Sequence, residues 1–465
     1  MGAPGTGMVD RLRTAMSGTS GTRFVLLGNF EVEDRWAAGE AGLPRFPSPS
    51  GTVLVNRMDE LALLLAGPDD HVLLKEPVDE EFLAYLGDLG LELPTVLAPA
   101  RQDPRRTVTD DVLADPVLLD RLRGLGDGRH RLWPHGVSVA EERLSALTGL
   151  PAGPAAGVCK RVNSKIFSRL TVDELELRQP EGRVCRNGDE FAQACDWART
   201  RLRSGLPVVV KDAFGVSGKG LVVLTEEAGL DRLQRMLARR PGAGLVVEAW
   251  IDKVTDLNYQ FTVARDGTVR FDVVKESITR NGVHLGHRMP AALPRATLDE
   301  VESASGRLGA RLFEAGYHGI AGVDAMLAPD GTLYPVTEIN ARNNMSTYQE
   351  GVRERFVAAD RVAIAARYPV RHRGPIAFGV LHRAIDDLMV RPGVPDGLII
   401  TAFAGVNAPC RAVPGAAPAD PDDVLVEGRL YAMAVAGSLA AAEAIDRSAR
   451  SRLADVAVPV EGGHG

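Results

Sequence analysis

Gly322-Val-Asp324-Ala-Met-Leu-Ala-Pro329-Asp330-Gly331-Thr-Leu-Tyr-Pro-Val-Thr-Glu338-Ile-Asn340-Ala-Arg342 is the stretch from which the architecture can be read. Pro-Asp-Gly between two apolar runs spells a three-residue hairpin loop with Gly331 in the left-handed region. With Ala328 opposite Thr332, Asp324 falls opposite Val336, and Glu338 is diagonal to Asp324 on the same face. Asn340 and Arg342 follow on that face, because strand side chains repeat every two residues. Two carboxylates and an amide oxygen then converge as hard ligands for Mg²⁺. A solvated polar hairpin is the alternative, but Ala321, Val323, Val336 and Ile339 are too apolar for full exposure.

The same turn chemistry recurs upstream at Ala264-Arg-Asp-Gly-Thr268. Around it Tyr259, Phe261, Val263, Val269, Phe271 and Val273 alternate with Asn258, Gln260, Thr262, Arg270 and Asp272. That alternation is a half-buried sheet whose polar face looks onto solvent or a cleft.

Further upstream, the strand Val208–Val210 runs into Lys211-Asp-Ala-Phe-Gly215-Val-Ser217-Gly218-Lys219-Gly220. Convergent N–H groups of such a loop can cradle an anion. Taken alone, the pattern is more often an ordinary flexible hairpin. Val246-Val-Glu248-Ala249-Trp250-Ile251 is a strand ending in Glu. It could lay its backbone and Glu248 along an adenine edge, although by itself it reads as a strand end with a surface acid. In Thr279-Arg280-Asn-Gly-Val-His284-Leu-Gly-His287-Arg288, Arg288 is a candidate anion contact, and the two His are read as ordinary polar groups.

Composition bounds the rest. The 465 residues suggest several domains, and 45% hydrophobic with 25% charged residues is a globular profile. The net charge of −7 offers no chain-wide basic field for nucleic acid. No apolar run is long enough to span a membrane. Residues 1–22 read as a loose leader without the apolar centre of a signal peptide. Cys159, Cys185, Cys195 and Cys410 have no metal spacing and read as reduced thiols of a cytoplasmic protein. Only seven of the 54 basic residues are Lys, and six of those lie between 160 and 275. In so Arg-rich a chain, retained Lys mark places that need a compact ammonium. Short strands at 23–28, Val53–Val55, His71–Leu74 and Pro94–Leu97, with helices between, imply a small α/β domain with a parallel sheet over 23–150. Leu150–Gly157 is a linker, Lys160–Leu170 is helix-like, and an αβ region with a final Ala-rich helix near 433–447 occupies 351–465.

The order Lys165, Lys211 with its Gly loop, Glu248-x-x-Ile251, Asp324, Glu338-x-Asn340-x-Arg342 resembles the ATP-grasp superfamily over 158–350. Residues 23–150 are similar to a pre-ATP-grasp domain. Within the superfamily, the chain most resembles the pheganomycin-type peptide ligases. The resemblance implies α/β and α+β folding: a catalytic ATP-grasp unit of two α+β subdomains with a lid near 185–250, and a C-terminal αβ domain. It implies ATP and Mg²⁺ as cofactors. Lys165, Lys211, Ser217, Gly218, Lys219 and Gly220 would contact phosphates, the 215–220 loop closing over them. Glu248, Ala249, Trp250 and Ile251 would hold adenine, Asp256 the ribose, and Asp324, Glu338 and Asn340 the metal. Arg288 and Arg342 are the candidates for stabilising an acyl phosphate and oxyanion. The implied activity is amide-bond formation between a small, amino-acid-like carboxylate and the amine of a peptide, with ADP and phosphate released, in natural-product biosynthesis. Dipeptide ligase, kinase and non-catalytic nucleotide-binding protein are the competing readings. Neither nucleic acid nor membrane is expected as a partner, and a homo-oligomer is compatible with the sequence.

Overall fold

The computed structural model describes residues 7–19, 21–44, 49–215, 220–240, 242–280, 283–411, 425–454 and 456. Three sheets organise it. The first is fully parallel, in the order β3-β2-β1-β4, from β1 (Arg23–Leu27), β2 (His71–Leu73), β3 (Thr95–Leu97) and β4 (His130–Pro134). Helices cover it, as expected of apolar strands such as Phe24–Leu27 that are buried on both faces. Val53–Val55 is not a strand; it lies in the helix Pro49–Asn56. A short apolar run carries no period that separates the two states, and tertiary packing decides.

The second sheet is small and antiparallel, in the order β5-β8-β6-β7, from β5 (Gly182–Cys185), β6 (Val208–Asp212), β7 (Leu221–Leu224) and β8 (Leu245–Ala249). Val208, Val210, Leu245 and Val247 pack into one core with Phe191, Ala194 and Ala198 of the helix Gly188–Arg203. Alternation therefore turns Lys211 and Glu248 to the other face.

The third sheet has eight strands in the order β13-β12-β9-β10-β11-β14-β16-β15. They are β9 (Thr255–Val263), β10 (Val269–Arg280), β11 (Val283–Met289), β12 (Gly319–Leu327), β13 (Leu333–Asn340), β14 (Val362–Arg373), β15 (Gly397–Ala402) and β16 (Leu425–Ala436). The C-terminal strands thus extend the same sheet that carries the two hairpins. The expected helix at 433–447 starts later: Met433–Ala436 finish β16, and the helix is Leu439–Leu453 with Ser438 as its cap.

Both Asp-Gly loops form as read, with Gly267 at φ 86° and Gly331 at φ 83°. The register of the second hairpin differs from expectation. Leu327 pairs with Leu333 and Met326 with Tyr334, but the ladder then shifts and Asp324 lies directly opposite Glu338. Pro335 sits at the break; it has no N–H to give the ladder, and β13 is an edge strand, where proline is tolerated. Residues 1–22 are also not wholly a loose leader. Met8–Ser17 form a helix whose Met8, Val9 and Leu12 are buried, with Glu354 accepting from its first N–H groups. No described helix is long and apolar enough to cross a membrane.

Candidate active site

Asp324 and Glu338 face each other across β12 and β13. Asn258 of β9, opposite Asp324, donates to its Oδ1 at 2.8 Å, and Asn340 donates to its Oδ2 at 3.2 Å. Burial pushes the Asp324 carboxyl up to about 6; the Glu338 charge adds to the rise, and the Asn258 hydrogen bond opposes it. The Oδ1 of Asn258 is buried without a hydrogen-bond partner. Opposed carboxylates with amide oxygens beside them fit a hard divalent cation, which would offset their repulsion. Ser168 holds β13 in place by accepting from the Ile339 N–H at 3.0 Å.

The cationic side comes from the small sheet and one helix. Ser164 caps the helix Lys165–Glu174, accepting from Ile166 N–H, and Lys165 N–H donates to Ala213 O at 2.9 Å. The expected stretch Lys160–Leu170 is in fact two helices, Ala156–Val162 and Lys165–Glu174, and the Ser164 cap marks the break. Lys165 donates to Glu338 and, at 2.9 Å, to Gly215 O. Lys211 pairs with Glu248, and Arg169 reaches the other oxygen of Glu248 at 3.0 Å. Lys165, Arg169, Lys211, Glu248 and Thr337 line one cleft. Arg169 was not singled out in the sequence; its signal is the i,i+4 spacing from Lys165, which puts both on one helix face.

Not every sequence candidate joins this group. Ser217, Gly218 and Lys219 lie outside the described residues. Gly220 is at φ 82°, and its O accepts from Asp212 N–H at 2.8 Å. The Ala249 and Trp250 N–H groups donate to Glu181 O and Pro207 O, at 2.8 and 3.1 Å. Those two N–H groups of the stretch expected at adenine are therefore already engaged within the protein. Asp256 is paired with Lys253 and accepts from Thr279 at 2.7 Å. Arg342 donates to Asn340 Oδ1 at 2.9 Å and pairs with Glu33, from the segment after β1. Arg288 is placed apart. It lies opposite Glu276, which lies opposite Leu257, which lies opposite Ala325. Alternation puts that row on the sheet face away from Asp324, and Arg288 is held by Glu276 and Glu443 at 3.1 and 3.2 Å. The described cysteines are free, and burial raises the Cys159 and Cys185 thiols to about 12.

A cleft lined by Lys165, Arg169, Lys211 and Glu248, with Glu338 paired to Lys165 and opposed to Asp324, holds the ordered lysines and carboxylates expected of an ATP-grasp chain. Residues 58–150 match the family model of the pre ATP-grasp domain, and residues 171–347 match that of the ATP-grasp domain. Together they span more than half of the chain, which belongs to the ATP-grasp superfamily of ATP-dependent carboxylate–amine ligases. Over 318 residues the chain is 24% identical to the [butirosin acyl-carrier protein]–L-glutamate ligase of Niallia circulans, covering 68% of this chain and 71% of that one. It is 27% identical over 347 residues to the formate-dependent phosphoribosylglycinamide formyltransferase of Burkholderia mallei, covering 69% and 81%. Among solved structures, biotin carboxylase of Campylobacter jejuni superposes with a TM-score of 0.54 at 14% identity, covering 93% and 91%. The N5-carboxyaminoimidazole synthase of Aspergillus clavatus, solved with ADP, gives 0.53 at 13%, covering 93% and 98%. These two likenesses show the fold.

Proposed function

We propose that this chain is an ATP-dependent peptide ligase. It joins the carboxylate of a small, amino-acid-like acid to the N-terminal amine of a peptide. The observation that carries the reading is the convergence of Lys165, Arg169 and Lys211 on one cleft, with Lys165 paired to Glu338, which faces Asp324 across the hairpin. A carboxylate is a poor electrophile. An oxygen of the acid attacks the γ-phosphorus of ATP, the bond to ADP breaks, and an acyl phosphate forms; the amine then attacks its carbonyl carbon, loses a proton, and phosphate leaves. Phosphoryl transfer needs alignment and charge neutralisation rather than a protein nucleophile.

Lys165 and Lys211 orient the phosphates, exchanging their present carboxylate partners for phosphate oxygens. Arg169 keeps Glu248 in place as Lys211 turns away. Ile251 N–H and the neighbouring carbonyls meet the adenine edge, and Asp256 the ribose. Asp324, Glu338 and Asn340 would hold Mg²⁺, which supplies charge neutralisation when bound. Arg342 stands beside Asn340 as the donor to the developing oxyanion. The domain division is 23–150, 158–350 and 351–465, in a cytoplasmic protein.

The test is an ADP-release screen of carboxylates crossed with amines, read by mass spectrometry. ADP release that requires both acid and peptide, with a product short of one water, supports the reading. Release with the acid alone and a stable phosphorylated product would make the chain a kinase, and coupling to free amino acids only would make it a dipeptide ligase.

A further inference from the structure

Beside the C-terminal strands, Arg371 is tied to Glu427 at 3.1 Å and, from the final helix, Arg450 to Asp446 at 2.9 Å. Arg367 of β14 and Arg429 of β16 are exceptions. Neither has a carboxylate within 4.0 Å among the described residues, and both are partly buried. They also crowd each other. Burial first, and then the Arg429 and Arg450 charges, hold the Arg367 guanidinium below its usual pKa, against the opposing pull of Tyr431 and, last, Glu427. Arg429 donates a hydrogen bond to the hydroxyl of Tyr431, a neutral partner buried opposite Arg367. Partly desolvated like charges without a carboxylate in contact are costly unless an anion completes them.

Register shows which way they face. Asp256 is two residues from Asn258, which lies opposite Asp324. Asp256 lies opposite Ser277, Ser277 opposite His287, and His287 opposite Ala365. Arg367 is two residues beyond Ala365; Tyr431 is opposite it, and Arg429 is two residues further on. With a side-chain period of two, all of these share the face of the metal hairpin. His284 bridges the row. Its Nε2 is 3.3 Å from that of His287, and both Arg367 and Asp256 act on its ring. β14 is four strand spacings from β12, about 19 Å along the sheet and less across its curvature.

We infer that Arg367 and Arg429 bind a free carboxylate that a substrate carries away from the reacting centre. The inference rests on the ligase reading for what occupies the cleft. Two sources share the chemistry: the far carboxylate of a dicarboxylic acid, and the C-terminus of the peptide acceptor.

The test is calorimetric titration of the full chain with MgADP present. The probes are glutarate against its monoamide, and trialanine against trialanine amide. At least one free acid should bind about tenfold or more tightly than its amide, the scale of a charge-assisted hydrogen bond. Arg367→Gln and Arg429→Gln should each remove that preference while leaving MgADP affinity unchanged, which also reports an intact fold. Preference for glutarate assigns the acid, and preference for trialanine assigns the acceptor. Equal binding of acids and amides to the wild-type chain overturns the inference, as does a preference that survives in both variants. Failure of MgADP itself to bind would instead count against the ligase reading, and the acid-against-amide comparison would stand without it.

Discussion

Lysine–glutamate pairs in two regions of the chain differ in what surrounds them. Lys275 and Glu350 are 2.8 Å apart and sealed, with side chains 0% and 1% exposed. Lys275 also donates to Ser346 O at 3.0 Å, and Arg353 holds Glu350 at 2.7 Å. Burial alone would raise the Glu350 carboxyl, but Lys275 and Arg353 outweigh it and hold it low. At the cleft, Lys165–Glu338 and Lys211–Glu248 have the same chemistry but stand 9–25% exposed, within reach of an incoming anion. A sealed pair fixes the helix Met345–Phe356 on the sheet; a pair at a cleft wall can exchange partners. Burial separates the sealed lysine from the two at the cleft.

The largest effect should come from the carboxylates of the cleft. Asp324→Asn or Glu338→Gln should lower turnover about 10³-fold or more, since each removes an anionic ligand; ADP-release assays and circular dichroism check activity and fold separately. Lys275→Met should instead destabilise the chain by about 3–5 kcal/mol by stranding Glu350, read by urea unfolding. Equal stability of Lys275→Met and wild type would erase the contrast between the two regions.

Asp324 makes a pH prediction. Its folded pKa near 6 lies above the ordinary aspartate value of about 3.9, so the native state binds its proton more tightly than the unfolded state. Without ligands, stability should fall as pH rises from about 4 to 6, by up to about 3 kcal/mol for this group. Asp324→Asn should flatten that slope, and Mg²⁺ with nucleotide should reverse it. Next in size, Lys211→Ala should weaken MgATP binding about 10–150-fold, and Lys211→Arg should not restore it, because a planar fork replaces a compact ammonium poorly; nucleotide titration decides. The smallest effect is expected at Arg288. On the far face and partly exposed, its pairs contribute about 0–1 kcal/mol, so Arg288→Ala should turn over at nearly the wild-type rate in single-turnover assays.

Legibility in the sequence followed the range of the interactions involved. Asp324, Glu338 and Asn340 were readable because one hairpin joins them and Pro-Asp-Gly fixes its loop. The diagonal pairing expected for Asp324 failed at Pro335, whose missing N–H matters only once β13 has a neighbour on one side. Arg169 was within reach through helix spacing. Arg367 and Arg429 were not, since nothing local places β14 and β16 on the sheet that holds Asp324. The lysine count did not distinguish Lys275, buried on Glu350, from Lys211 at the cleft.

What the sequence determined by itself was local: turn types, alternation, caps, and the ordered set of ammonium and carboxylate groups that an ATP-grasp chain requires. Each depends on residues a few positions apart, and the backbone repeats of two and 3.6 carry that information. Only the tertiary structure decided which sheet face Arg288 takes, that Met8–Ser17 packs as a helix, and that Arg367 and Arg429 lie on the face of the Asp324–Glu338 hairpin with no carboxylate in contact among the described residues. Those outcomes are set by strand order and by burial, which bring together groups more than a hundred residues apart and change the free energy of every charge they enclose.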